Sequence, residues 1–374
     1  MNGMSTYHLD SFTIGAFRGI ENTTFERLGR FNLLIGGNNS GKTSVLEALQ
    51  AFCNPESPVE WVRIANARNS NARVFPAYSL NDCLVWLFPH VKQAENGSLG
   101  SIHLSGNGTC PIQQVEASIQ SVFGMPDKED LEYFARRMPG FNPETSGNVE
   151  GLEIKLDSVR LQGDSPAASA SVTRRFWQDI PFVRGRGISS NAFPVTPVLG
   201  FEYRFAELYA DSYSKLKADQ QQEILELAQM FDSSIVSVSV ASKNRRPYLK
   251  IEHKDMGEVP LMVFGDGMKR VLFIATGLVT AKEGILLLDE IESGIHAFVL
   301  PKIMKWLFQA AREYSIQIFA TTHSLEAVDA GLLSAKEMPD EFVTYRLSKE
   351  EHIAKRLNFN LLTDLRVHGG LEIR

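Results

Sequence analysis

An α/β fold built on a mainly parallel sheet is what this sequence predicts, on three observations. Gly36-Gly-Asn-Asn-Ser-Gly-Lys-Thr43 fits the phosphate-loop pattern G-x-x-x-x-G-K-[ST] at every fixed position. An apolar run of strand length, residues 30–35, precedes it, and residues 44–52 follow with apolar side chains at helical spacing. From Asp266 onward strands and helices alternate, which implies a parallel sheet with its functional residues at strand C-termini.

In chain order, residues 11–17 and 22–28 read as two short strands around a tight Arg18-Gly19 connection, an antiparallel edge leading into the strand before the loop. Residues 66–71 are polar and read as loop, and Leu84-Val-Trp-Leu-Phe88 as core. Strands are expected at 101–104, 113–119 and 152–161, with a helix over 127–137. The small residues of 163–170 predict a loop. Residues 181–197, with Arg184-Gly-Arg-Gly187 and three prolines, predict an irregular connection. The longest helical stretch is 201–231, carrying Leu208, Leu216, Ile224, Leu225 and Leu227 on one side. Three strands follow at 235–240, 248–252 and 259–264. The alternating part then reads as a helix from Asp266, strand 285–288, helix 298–314, strand 316–320 and helix 324–331.

The 374 residues suffice for one large or two modest domains, and 44% hydrophobic with 22% charged residues is ordinary globular composition. A net charge of −6 gives no overall field that would recruit nucleic acid. Three widely spaced cysteines, Cys53, Cys83 and Cys110, suggest neither a disulfide framework nor a four-ligand zinc site. The stretch Met1 to His8 lacks a basic segment followed by an apolar one, and no apolar run is long enough to cross a bilayer. A cytoplasmic protein with no membrane partner is expected.

The chemistry follows from the motifs. Glycines let the backbone wrap a polyphosphate, N–H groups point inward, and a helix N-terminus adds partial positive charge. Gly36, Asn38, Asn39, Ser40, Gly41, Lys42, Thr43 and Ser44 would form that cradle, with Lys42 neutralising the β- and γ-phosphates and the Thr43 hydroxyl binding Mg²⁺. Gly284-Ile-Leu-Leu-Leu-Asp-Glu290 reads as a buried strand ending in two acids: Asp289 for the Mg²⁺ shell, Glu290 to orient and deprotonate the attacking water. Strand 316–320 delivers Thr321-Thr-His-Ser324, where His323 would hydrogen-bond the γ-phosphate and sense its loss. Phe264-Gly-Asp-Gly-Met-Lys-Arg270 opens an apolar helix with glycines, a second anion-binding end.

These pieces, in this order, resemble the ABC-type ATPase heads of the branch that includes RecF, the SMC heads and the OLD-family (overcoming lysogenization defect) ATPases. Gly36 to Thr43 matches Walker A, residues 285–290 match Walker B, Glu292-Ser-Gly-Ile-His296 sits where the family has its D-loop, and His323 matches the switch histidine. Phe17-Arg-Gly19 resembles the branch's N-terminal turn, which implies that Arg18 lies near nucleotide. At the signature loop Gly265 replaces the family's serine, while Gly267 and Arg270 keep their places; such a degenerate signature is closer to OLD-like members.

The resemblance implies a P-loop NTPase of ABC-head type with ATP and Mg²⁺ as cofactors. Its lobes would be residues 1–54 and 257–374, around an inserted α/β and helical region over 55–256. It implies a homodimer or higher homo-oligomer in which each ATP is sandwiched between one copy's Walker A and the other's Gly265, Gly267 and Lys269 loop. The stretch after His323 is too short for the TOPRIM nuclease domain of OLD nucleases. A separate effector protein, a nuclease or toxin, in bacterial anti-phage defence is therefore expected. Two alternatives stand beside it. One is a RecF/SMC-like DNA-binding ATPase of repair, using Arg174, Arg175, Arg184, Arg186 and Lys243-Asn-Arg-Arg246 with Trp177 and Phe182 interleaved. The other is a self-contained nuclease, using Asp127 with Glu153-Ile-Lys155. Gln113 and Gln114 are the Q-loop candidates.

Overall fold

A computed structural model describes residues 7–69, 78–89, 97–126, 128–137, 148–162, 165–178, 192–198, 210, 212–243, 246–348 and 353–368. The chain divides into two compact units. The first comprises Met1–Asp10, Phe25–Leu46 and Pro194–Arg374, and the second Ser11–Thr24 and Glu47–Phe193.

The first unit is organised by a six-stranded sheet. Across it run Ala354–Leu357, Phe342–Leu347, Phe31–Ile35, Gln317–Thr321, Ile285–Leu288 and Val195–Val198. All neighbours pair in parallel except the Ala354–Leu357 edge, which is antiparallel to 342–347. The sequence shows why: Phe31–Ile35, Ile285–Leu288 and Gln317–Thr321 are buried at every position, the near-continuous apolar character of a sheet covered on both faces. The helix Leu300–Glu313 buries Leu300, Ile303, Met304, Leu307 and Ala311, an i, i+3, i+4 stripe. From that stripe's side Phe308 stacks on Phe31 at 4.8 Å between centroids, and Phe342 closes on Phe31 at 5.8 Å.

Two amide side chains, Asn32 and Gln317, are buried in this sheet and both are satisfied. Asn32 donates to Gly29 O (2.8 Å) and Ile318 O (3.2 Å) and accepts from Gly29 N. Gln317 donates to Leu9 O and Gly29 O and accepts from Leu9 N, all at 2.8 to 2.9 Å. Paired this way they cost little, and they pin the start of the chain and the turn ahead of the loop strand. A second, antiparallel sheet of Ile235–Lys243, Arg246–His253 and Gly257–Pro260 leads to the helix Asp266–Thr280.

The second unit carries a six-stranded antiparallel sheet in the order Ile20–Glu26, Ser11–Phe17, Ser98–Asn107, Ile112–Gly124, Val149–Gln162, Ser165–Trp177. Its alternating strands bury Ile102, Leu104, Val115, Ala117, Ile154 and Leu156. Cys53, Cys83 and Cys110 are free and buried, and burial pushes the Cys110 thiol up to about 12.

Four sequence expectations need correction. Residues 163–170 are not a loop throughout: a strand begins at Ser165, because Ala and Ser can line the 149–162 strand wherever the partner supplies the ladder. The irregular connection ends in a short strand, Val195–Val198. Pro197 is tolerated there because the strand is the sheet edge and pairs on one side only. Residues 201–231 are not one helix: the described part breaks before Ala218, with Lys217 extended (φ −71°, ψ 163°). Gln221 donates to the carbonyls of Tyr213 and Leu216, so the break is built in by side-chain capping. Beyond Gly331 the chain adds Phe342–Leu347, whose Phe-Val-Thr-Tyr-Arg-Leu composition is strand-like but went unread. Asp127, Phe182, Arg184, Arg186, Leu208, Asn244 and Arg245 lie outside the described residues.

Phe31→Ala should remove the ring that Phe308 and Phe342 pack on and destabilise the first unit by about 3–5 kcal/mol. Urea denaturation followed by tryptophan fluorescence measures this; a loss below about 1 kcal/mol would mean the aromatic stack is not central to the core.

Candidate nucleotide site

Three parallel strands bring the site together, since their C-terminal ends share one edge of the sheet. Leu33, Ala320 and Leu288 lie in register across the strands 31–35, 317–321 and 285–288. The loop, the Asp289-Glu290 pair and the Thr321 to His323 segment therefore all emerge at the same edge.

The loop's shape depends on glycine at two positions. Gly36 has φ +148°, and a Cβ there would sit 2.6 Å from Leu347 O and 2.7 Å from the Ser40 Oγ. Gly41 has φ +93° and Asn39 φ +61°, so the backbone turns through the left-handed region twice before Lys42 starts the helix Lys42–Cys53. Gly37 has open space where a side chain would be. Lys42 is 5% exposed, and its ammonium donates to Gly36 O (2.8 Å) and Gly37 O (2.9 Å). Burial draws its pKa down to about 8, against the pull of Asp289, Glu292 and Glu290.

Asp289 is the hub. Its Oδ1 accepts from Thr321 Oγ1 at 2.7 Å, and Thr43 Oγ1 donates to both carboxylate oxygens at 3.2 and 3.3 Å. Thr321 in turn accepts from Glu290 N (2.8 Å). Fully buried Arg270, in the first turns of the helix Asp266–Thr280, donates from Nη2 to Asp289 O (2.7 Å) and Glu290 O (3.2 Å). Glu290 is thus fixed through its backbone at φ +48° while its side chain is exposed. Glu292 reaches across to His323 N (2.7 Å).

Lys42, Thr43, Asp289, Glu290 and His323 are therefore gathered in one unit. Gly265 N-caps the helix Asp266–Thr280 with open space at its Cα, and Lys269 pairs with Asp266 at 3.1 Å. A Cβ on Gly267 would meet Gly294 O at 3.4 Å. Arg18 lies in the second unit, where its Nε and Nη2 donate to Glu47 at 2.6 and 3.2 Å and Arg68 binds the same carboxylate at 2.8 Å. Sequence reasoning did not find the roles of Thr321, Arg270 and Glu292 in bracing Asp289, Glu290 and His323. A Thr-Thr-His run at a strand end is the one signal that pointed there.

Elsewhere the structure spends the predicted residues on local pairs. Glu153 binds Arg175 (2.7 Å) and Gln120 (2.8 Å), Lys155 binds Asp157 (2.9 Å), and Arg174 binds Asp130 (2.9 Å). Gln113 and Gln114 sit on the strand Ile112–Gly124 of the second unit.

The donor set fits a magnesium nucleotide: a hydroxyl and a carboxylate are hard oxygen ligands, and open space lies beside the backbone at Gly37. Comparison with known proteins agrees. Residues 8–86 match the family described as "AAA ATPase domain", and residues 157–329 the family described as "AAA domain, putative AbiEii toxin, Type IV TA system". A protein of Helicobacter pylori named "ATP/GTP phosphatase" is 24% identical over 353 residues, covering 86% of each chain. "Uncharacterized protein MJECL11" of Methanocaldococcus jannaschii is 30% identical over 112 residues, 29% of this chain and 98% of that one. Solved structures that align include an SMC head bound to the C-terminal winged-helix domain of ScpA (12% identity, 94% and 97% covered, TM-score 0.45). Another is cbiO1 from Clostridium perfringens, part of the ABC transporter complex cbiONQ (13%, 96% and 96%, TM-score 0.41). At those scores the fold assignment rests on the strand order and the loop, not on the likeness. With that geometry and a match to an ATPase family over each half of the site, the chain is an ATPase that hydrolyses ATP.

Proposed function

We propose that the chain couples ATP binding and hydrolysis at this site to pairing with a second copy of itself, and that the pair controls a separate effector protein in anti-phage defence. The observation that carries the chemical part is the convergence of Thr43, Asp289 and Thr321 through hydrogen bonds of 2.7 to 3.3 Å. In this reading Lys42 leaves its loop carbonyls for the β- and γ-phosphates, and Asn38, Asn39, Ser40 and Ser44 complete the cradle. Thr43 and Asp289 would hold Mg²⁺, which when bound neutralises charge on the phosphates. Glu290 takes a proton from water as its oxygen attacks the γ-phosphorus. The bond from that phosphorus to the β,γ-bridging oxygen breaks, giving ADP and phosphate. His323 hydrogen-bonds the γ-phosphate and reports its departure.

Pairing is supported by the surface beside the glycine-capped helix. Gly265 is exposed, the helix Asp266–Thr280 offers its N-terminal N–H groups there, and Met262 and Val263, just ahead of it, are 67% and 59% exposed. A second copy placed with its triphosphate against Gly265, Gly267 and Lys269 would cover them. The defence setting draws support from the match to a family whose description includes a toxin of a toxin–antitoxin system, and from the OLD-like order of motifs. The repair and nuclease readings lose support where Arg174, Arg175, Glu153 and Lys155 are engaged in ion pairs.

Three outcomes test this. Lys42→Ala should weaken binding of a fluorescent ATP analogue by at least about 30-fold, the equivalent of about 2 kcal/mol for truncating a buried charge partner. Unchanged affinity would remove Lys42 from the site. Glu290→Gln should slow hydrolysis by about 10²–10⁴-fold and leave an ATP-dependent dimer on size-exclusion chromatography. Normal turnover would show that Glu290 is not the base. Because Lys42 titrates near 8 when unliganded, its positive charge is present below that pH and lost above it. ATP favours the charged form, so its binding should be accompanied by proton uptake by the protein that is larger at pH 8.5 than at pH 7. Calorimetry in two buffers of different ionisation enthalpy measures this, and equal heats at pH 8.5 would contradict it.

A further inference from the structure

The turn after Asp289 and Glu290 holds a carboxylate with a contact that the chemistry above does not use. Glu292 Oε1 accepts the backbone N–H of His323 at 2.7 Å across 31 positions of sequence, while its Oε2 is buried with no hydrogen-bond partner among the described residues. Glu292 also lies close enough to Lys42 to act on its charge, alongside Asp289 and Glu290. The turn it belongs to is constrained at both ends. Glu290 stands at φ +48° and Gly294 at φ +75°, Ile291 N donates to Thr321 O (3.0 Å), and Ser293 N donates to Glu290 O (2.8 Å).

Three bonds therefore join this turn to the segment that carries the histidine. Two, from Glu290 N to Thr321 Oγ1 and from Ile291 N to Thr321 O, sit at the strand end. The third is the Glu292 carboxylate, the one contact of this group that reaches His323 itself. We propose that Glu292 is a positioning residue for His323: its carboxylate ties the histidine backbone to the turn that presents Glu290, so that the base and the sensor are set by one rigid piece of chain. This rests on the reading of His323 as the γ-phosphate sensor. Glu292 needs no contact with nucleotide for it. An acceptor oxygen at that reach is sufficient, which separates its role from that of a charge.

The test uses the full chain carrying Glu292→Ala, Glu292→Gln, His323→Ala, and Glu292→Ala with His323→Ala. Steady-state hydrolysis, affinity for a fluorescent ATP analogue with Mg²⁺, and thermal unfolding are measured for each. Glu292→Ala should lower kcat at least about tenfold with affinity within about threefold of the parent, since the anchor acts on turnover and not on the cradle. Its melting temperature should stay within about 3 °C, because the lost bond is offset by removing a buried oxygen without a partner. Glu292→Gln keeps an acceptor oxygen and should return kcat to within about threefold. The double variant should be no slower than His323→Ala alone, the signature of one residue acting through the other. Parental kcat in Glu292→Ala, no rescue by Gln, or a double variant slower than both singles overturns the proposal. If His323→Ala turns over normally, the sensor reading falls and the proposal falls with it. A slow His323→Ala beside a fast Glu292→Ala sinks only the proposal. Should the alanine variant fail to fold, Glu292→Leu keeps the volume, lacks the acceptor, and takes its place against Glu292→Gln.

Discussion

The grip on Asp289 is the constraint from which the rest of the first unit follows. A carboxylate at the end of an apolar strand would be costly to bury alone, and here it is met by hydroxyls from Thr43 and Thr321 while Arg270 takes the carbonyls of Asp289 and Glu290. Those partners come from the start of the chain, the middle of its last third, and the helix ahead of the acidic strand. Each bond is modest by itself, but together they fix the loop, the acid pair and the threonine step as one network. The sheet makes this possible, because parallel strands deliver all their C-termini to the same edge.

Much of that was legible before any coordinates, for identifiable reasons. The loop motif states its own geometry, since Gly36 and Gly41 occupy positions where the backbone is left-handed or where a Cβ would strike Leu347 O and Ser40. Strands such as Ile285–Leu288 are read easily because burial on both faces leaves no polar position to confuse the period. The bracing residues were not legible. Thr321, Arg270 and Glu292 look like ordinary polar residues at element ends, and only the fold reveals which carbonyl or N–H each meets. The same holds for Ser165–Trp177 and Val195–Val198, whose strand character comes from the neighbour they pair with and not from their own side chains.

Local pairing also decides between roles that composition leaves open. Arginines 174 and 175 could serve a phosphate backbone by residue type alone, yet each is matched to an acid on its own unit. A guanidinium already neutralised offers little to a polyanion unless the pair first opens, which costs desolvation and a lost bond. Arg18 is held the same way, sharing Glu47 with Arg68; burial draws its pKa down and Glu47 offsets the effect.

The strand before the loop has its two sheet neighbours far later in the sequence: Gln317–Thr321 on one side and Phe342–Leu347 on the other. During synthesis on a ribosome the Gly36 to Thr43 segment emerges well before either flank. Contacts so distant in sequence close slowly, because the loop entropy is spent before any pairing is gained. The phosphate loop thus takes its place only when strands made long after it arrive to flank its own.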